Sequence, residues 1–229
     1  MRYLQLDFIR GLAIIFMIIF HLSFDLNNFH FINIDIYHAK EWHYYRMLIV
    51  SMFILCVGIS LALVNENGIK IKKEFKRFIF LSFASLMITF ASLITFAQSW
   101  IYFGVLHFIT VASVLALAFV RYEWLSLIVG VLIVLLFNLG IINMHWLYNA
   151  TSSILHLPYH TEDLVPLTPW FGVVLIGIFI GKKRLFLFPL QENKATNSIA
   201  LLGKHSLLIY LAHQPLFFGS IALADYLIH

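Results

Sequence analysis

The sequence predicts an all-α protein, a polytopic transmembrane helical bundle of about seven spans. Three observations carry that prediction. Of 229 residues, 62% are hydrophobic and 11% charged, far more apolar surface than a soluble domain of this length needs. Apolar runs of about 20 residues recur, the length a helix needs to cross the hydrocarbon core. No alternating apolar and polar strand pattern interrupts them, so spans that satisfy their own backbone are expected in place of a barrel.

The spans fall near 8–27, 43–64, 78–97, 101–120, 124–142, 165–181 and 198–219. The first carries Asp7 in its polar start and no small-x-small site after its apolar run, so it reads as a retained anchor and not as a cleaved signal. A short connection at 98–100 makes spans three and four a hairpin. No linker, repeat or low-complexity segment divides the chain, and residues 1–229 read as a single integral membrane domain.

The basic residues predict the orientation. If the spans alternate, Arg2, Arg10, Lys70, Lys72, Lys73, Lys76, Arg77, Arg121, Lys182, Lys183, Arg184, Lys194 and Lys204 share one side. Lys40 and Arg46 fall on the other. The positive-inside rule then puts the N-terminus in and the C-terminus out. This accounts for the net charge of +4 without nucleic acid as a partner. Two longer outer loops, 28–42 and about 143–164, hold scattered histidines, among them His30, His38, His145, His156 and His160. Their spacing forms no compact metal-ligand set, and no metal is expected. Trp146, Tyr148 and Trp170 read as interfacial anchors. The lone cysteine, Cys56, lies mid-span and reads as a small buried residue.

The first span carries the candidate chemistry. At 100° per residue, Asp7, Arg10, His21 and Asp25 fall within about 60° of one another on an otherwise hydrocarbon helix. Ionisable groups at membrane depth mostly face a bundle interior or a wet cavity. His21 and Asp25, spaced i, i+4, are expected to meet as an imidazole–carboxylate pair. Such a pair suits a general base that takes a proton from an amine or hydroxyl. Arg10 lies about 16 Å away along the same face, where a guanidinium fork suits a phosphate, and Asp7 is placed to orient it. The alternative is a polar lock between helices.

Span seven places Ser206, Tyr210 and His213 on one face with Gln214 at its edge, ahead of Pro215. These side chains suit either a cavity wall or contacts between helices. His107 of span four and Arg46 of span two are further intramembrane candidates. Ser82, Ser85, Thr89 and Ser92 form a small polar seam along span three. Lys76 and Arg77 close the basic inner loop. That loop suits anionic lipid, or a mouth for an anionic donor if Arg10 opens toward it.

Taken together these segments resemble a known family. Leu6-Asp7-Phe8-Ile9-Arg10-Gly11-Leu12-Ala13 followed by His21 is similar to the first-helix motif of the transmembrane acyltransferase superfamily. The closer resemblance is to the bacterial branch of the heparan-alpha-glucosaminide N-acetyltransferase catalytic-domain family. It rests on His21-x-x-Phe24-Asp25-Leu26, Arg46, Val57-Gly58-Ile59-Ser60-Leu61 and Phe103-Gly104-Val105-Leu106-His107. It rests also on the ending Leu202-Gly203-Lys204-His205-Ser206-Leu207-Leu208-Ile209-Tyr210-Leu211-Ala212-His213-Gln214-Pro215.

The resemblance implies acetyl-CoA, or another acyl-CoA, as a donor entering from the cytoplasm, and a sugar or glycan amine or hydroxyl as acceptor on the far side. It implies His21 as the catalytic position and Arg10, with Asp7, Lys76 and Arg77, as donor-binding residues. On this reading His107, Tyr210, His213 and Gln214 are expected to complete the cavity, with Arg46 facing the acceptor side. His38, before Trp42, is the nearest counterpart of a catalytic histidine that the family's animal enzyme carries in its first outer loop. Larger family members have about ten or eleven spans. This chain therefore reads as a reduced enzyme, a homodimeric enzyme or a member that has lost catalysis, in a bacterial inner membrane. Two readings outside the family also stay open from the residues alone: a proton-coupled transporter, and a non-catalytic partner in glycan assembly.

Overall fold

The computed structural model describes residues 2–36 and 38–228, and the side chains of 145–147 lie outside that description. His145 and Trp146, read above as loop and interface residues, are therefore not placed. Among the described residues the chain is all-α, with nine helices: α1 (Leu4–Asn28), α2 (Lys40–Val64), α3 (Ile71–Thr95), α4 (Val105–Ala116), α5 (Glu123–Asn138), α6 (His145–Leu155), α7 (Leu167–Lys182), α8 (Lys194–Lys204) and α9 (Ser206–Ile228).

Four of them, α1, α2, α3 and α9, are long and apolar enough to cross a membrane, with mean hydropathies of 1.9, 2.8, 2.1 and 1.6. The remaining expected spans are shorter. α4 has 12 residues, and α5 and α7 have 16 each. At 1.5 Å per residue the latter two reach about 24 Å, less than the roughly 30 Å hydrocarbon core.

The differences from the expected boundaries have local causes. Span four starts late because residues 99–104 are drawn out of the helix by pairing with 161–165. Val165 N–H donates to the Phe103 carbonyl at 3.1 Å and Glu162 N–H to that of Ser99 at 3.1 Å. Span five stops early at Gly140, whose φ of 71° ends α5, while Ile141 N–H reaches back to the Leu136 carbonyl. The second outer loop, expected to be irregular, contains α6, which ends on left-handed His156. Span seven is two helices. α8 is capped by Asn193, whose side chain accepts from Thr196 N–H at 2.9 Å, and the Thr196 hydroxyl accepts from Asn193 N–H in return. The turn at His205 separates it from α9.

The chain packs as two compact units, residues 1–53 with 186–229 and residues 54–185. In the first unit, α1 packs along α8 and α9. The α1–α8 crossing is a backbone approach. A methyl on Gly11 would run into the Ile199 carbonyl, and one on Gly203 into the Asp7 carbonyl. Beside it Ile14, Met17 and Ile49 form a core covered by Phe20, Tyr45, Ile209 and others, and Tyr45 donates its hydroxyl proton to the Phe16 carbonyl at 3.1 Å.

In the second unit, α7 packs on α5 and α4, and α4 on α3. Gly58 of α2 and Gly177 of α7 meet the other helix's backbone. The polar seam of α3 faces α4. Ser85 lies 3.4 Å from the Thr110 hydroxyl, and Ser92 accepts from Ile101 N–H at 2.9 Å.

Candidate active site

The first unit brings four of the expected residues together. His21 and Asp25 come from α1, and His213 and Gln214 from α9. The His21 and His213 rings lie 4.8 Å apart, edge to face. Gln214 donates its amide to Asp25 Oδ1 at 2.8 Å. Phe20 flanks His21 at 5.5 Å, and the Tyr210 ring lies 5.6 Å from His213. Arg46 of α2 places its charge within electrostatic reach of His21.

One expectation needs correction. The i, i+4 spacing brings His21 and Asp25 to one face, but among the described residues they make no hydrogen bond to each other. The carboxylate is taken by Gln214 instead, and His21 donates to no described residue. A side-chain amide on a packed neighbour competes better for the carboxylate than an imidazole four residues back, which has turned toward α9.

Hydrogen-bonding capacity in this cluster is incompletely used. Asp25 is 1% exposed and His213 is 7% exposed. Asp25 Oδ2, Gln214 Oε1 and His213 Nε2 are buried without a hydrogen-bond partner among the described residues. His213 Nδ1 lies 2.6 Å from the Tyr210 carbonyl, which can only accept, so Nδ1 carries a proton and Nε2 of the neutral ring is an acceptor. All three atoms left over are thus acceptors. Buried polar atoms are rarely left so, which marks the α1–α9 contact as a place for a donor-bearing group.

At the start of α1, Asp7 is buried and holds two arginines. Arg2 Nε donates to Oδ2 at 2.5 Å and Arg10 to Oδ1 at 3.2 Å. Asp7 and Arg10, three residues apart, thus share a hydrogen-bonded ion pair. An acid in the first turn also complements the helix dipole. In the loop after α1, His38 Nδ1 lies 3.0 Å from Asp35 Oδ1, which also accepts from His38 N–H at 3.0 Å. Asp35 is a residue to which the sequence reading gave no role. The Asp-x-x-His spacing was the available signal.

The second unit holds the other candidates. Both ring nitrogens of His107 are engaged. Nδ1 accepts from Gly104 N–H at 3.3 Å, so Nε2 donates to the Thr89 hydroxyl at 3.0 Å, which donates on to the Ile101 carbonyl at 2.8 Å. Asp163 Oδ2 accepts from Val105 N–H at 2.9 Å beside it. His107 therefore closes the N-terminus of α4. Lys76 is exposed. Arg77 lies 3.8 Å from Glu74, which is buried and accepts from the Asn65 amide at 2.9 Å. Among the described residues no group of three His, Cys, Asp or Glu is placed to hold a metal ion.

The chain is all-α with several apolar spans, and it holds a buried His/Asp/Gln cluster between α1 and α9. The family model described as heparan-alpha-glucosaminide N-acetyltransferase, catalytic, matches residues 2–215. The chain belongs to this family, and with it to the membrane acetyltransferases that use acetyl-CoA. Comparison with curated proteins and with solved structures gave no significant match. The family match runs through both units and includes α1, α4 and the first half of α9.

Proposed function

We propose that the chain moves an acetyl group from cytoplasmic acetyl-CoA to an amine or hydroxyl of a sugar or glycan on the far side of a bacterial inner membrane. The observation that carries this reading is the buried α1–α9 cluster, with its unfilled acceptors beside His21, in a chain of this family. The donor supplies an activated thioester carbonyl.

His21 takes the proton that the acceptor nitrogen or oxygen sheds as it attacks that carbonyl. The same proton then passes to the departing CoA sulfur, so the base is regenerated. Arg46, whose charge reaches His21, stabilises the oxyanion formed during attack. Asp25, held by Gln214, and His213, fixed by the Tyr210 carbonyl, accept hydrogen bonds from the acceptor's N–H or O–H groups.

Arg10, steadied by Asp7, binds donor phosphates about 16 Å along α1 from His21, a distance the pantetheine arm has to cover. Direct transfer is the simpler route, because no thiol or serine nucleophile is marked.

The test is release of CoA from acetyl-CoA by the protein in lipid nanodiscs, with glucosamine-terminated acceptors and their hydroxyl-only counterparts offered in parallel. CoA release that depends on an acceptor supports the reading. No release with either acceptor class, under conditions where the helices are folded by circular dichroism, overturns it.

A further inference from the structure

We propose that the start of α3 is a binding site for an anionic phospholipid, whose headgroup lies on Lys72, Lys73 and Lys76 and whose acyl chains run along Ile79 and Phe83. The proposal concerns the second unit alone and does not depend on acetyl transfer.

The charge at this end of the unit is unbalanced. Glu66 accepts from Arg184 at 2.8 Å, Glu123 lies 2.5 Å from Lys183, and Glu74 lies 3.8 Å from Arg77. The unit's other acids, Glu162 and Asp163, bond Ser99 and Val105 beyond the far end of α3. No acid of the unit is left for Lys70, Lys72, Lys73 and Lys76. All four are exposed and make no ion pair among the described residues. Like charges gathered on one turn repel one another, and a bound anion removes that cost.

The turn that carries the lysines is built. Asn65 is buried and donates its amide to the Glu74 carboxylate at 2.9 Å and to the Leu61 carbonyl at 3.0 Å. Its side-chain oxygen accepts from Lys70 N–H at 2.9 Å. Glu74, held in this way, is buried, and the opposite face of α3 is turned outward. At 100° per residue Lys72, Lys76, Ile79 and Phe83 fall within about 60° of one another, opposite Glu74 and Leu81. Lys73 flanks Lys76. Ile79 is 52% exposed and Phe83 62%, and the same line continues over exposed Leu86 and Phe90. From Lys76 to Phe90 is about 21 Å, enough to cover the roughly 15 Å depth of one leaflet.

Unmatched cations at one end of a line and bare hydrocarbon along the rest fit an anion that carries chains. A soluble phosphate would take the lysines and leave the apolar stretch unused, and a neutral lipid would do the reverse. On the orientation that the basic residues predict, these lysines meet the inner leaflet, whose surface is negative.

The experiment offers phosphatidylglycerol or phosphatidylcholine of matched chains to the full chain in neutral detergent and reads retained lipid by native mass spectrometry. Wild type is expected to hold phosphatidylglycerol at least about tenfold more tightly, with the preference reduced in about 0.5 M ammonium acetate. Lys72→Gln with Lys73→Gln and Lys76→Gln is expected to lose most of the preference, and Lys72→Gln with Lys76→Gln part of it. Lys40→Gln with Lys194→Gln and Lys204→Gln removes as many exposed lysines from the first unit and is expected to keep it. Inorganic phosphate and CoA, added as competitors, are expected to leave the lipid bound.

Equal retention of the two lipids by wild type, or an undiminished preference in the triple variant at α3, overturns the inference. Displacement by inorganic phosphate or CoA assigns the lysines to a soluble anion and overturns it too, as does a wild-type dimer that holds no lipid. If the triple variant does not fold by circular dichroism, the double variant and the salt dependence decide.

Discussion

Gln214 donates its side-chain amide to Asp25 across 2.8 Å, joining residues 189 positions apart in the chain. The bond ties α9 to α1 at the level of His21 and His213, and it gives a buried carboxylate its one partner among the described residues. Gln214→Leu keeps the volume and removes the donor. The carboxylate then loses its bond inside the protein, which costs about 1–3 kcal/mol. The variant is expected to unfold at lower temperature in detergent. Gln214→Leu with Asp25→Asn is expected to recover part of the loss, because a neutral side chain is cheaper to bury.

His21→Ala tests the base. Removing a positioned proton acceptor is expected to lower kcat by about 10²–10⁴. The ring makes no hydrogen bond to a described residue, so its loss is expected to cost less stability than Gln214→Leu. Turnover and thermal unfolding of the same preparation check both. Full turnover in this variant removes His21 from the mechanism.

Much of this arrangement was legible in the sequence because helical periodicity is local. The spacing of Asp7, Arg10, His21 and Asp25 assigned one face of α1, and Ser206, Tyr210 and His213 one face of α9. The Asp7–Arg10 contact, three residues apart, followed from the same rule. No local rule says that these two helices pack together, nor that Gln214 takes Asp25 from His21. α6 was passed over because Asn149, Thr151, Ser152 and Ser153 dilute its apolar positions. The turn at His205 was hidden for another reason. Residues 199–202 and 207–212 are both apolar and read as one run, and no local signal marks how closely Gly203 approaches the backbone of α1.

His107 illustrates the opposite case. Its place in an apolar span suggested a cavity residue, yet Nδ1 accepts at the start of α4 and Nε2 bonds Thr89 of α3. His107→Ala is expected to lower the unfolding temperature by removing the Gly104 acceptor and the Thr89 donor, about 1–2 kcal/mol in all. Thr89→Val is expected to cause a smaller loss in the same direction. Turnover per folded molecule is expected to change less than tenfold in both. A His107→Ala protein that is fully stable but inactive sinks the structural assignment.

The Asp35 carboxyl is held below its usual value of 3.8, first by the His38 ring bond and then by the His38 backbone N–H. A carboxylate whose folded value is depressed favours the folded loop above the unfolded value, and that contribution fades as pH falls through the folded one. The carboxyl carbon of Asp35, followed by NMR, is therefore expected to titrate below 3.8 in wild type. In His38→Ala the backbone bond survives and the ring bond does not, so the midpoint is expected to move back toward 3.8 without reaching it. A midpoint unmoved by His38→Ala means that the ring bond is not formed in solution.

The α1–α8 crossing sets where Arg10 sits, because Gly203 meets the backbone one turn from it. Gly203 lies against the Asp7 carbonyl, and Gly11, next to Arg10, against the Ile199 carbonyl. Any side chain at either position has to push two helix backbones apart, since a carbonyl cannot swing aside as a flexible side chain can. Overpacking of this kind costs about 1–3 kcal/mol. Gly203→Val adds a branched side chain at the tighter contact and is expected to lower the unfolding temperature more than Gly11→Ala. Because Asp7 and Arg10 ride on the displaced turn, Gly11→Ala is also expected to raise KM for acetyl-CoA while leaving kcat within a few fold. A variant that loses kcat with KM unchanged would separate the crossing from donor binding and place its effect at His21 instead.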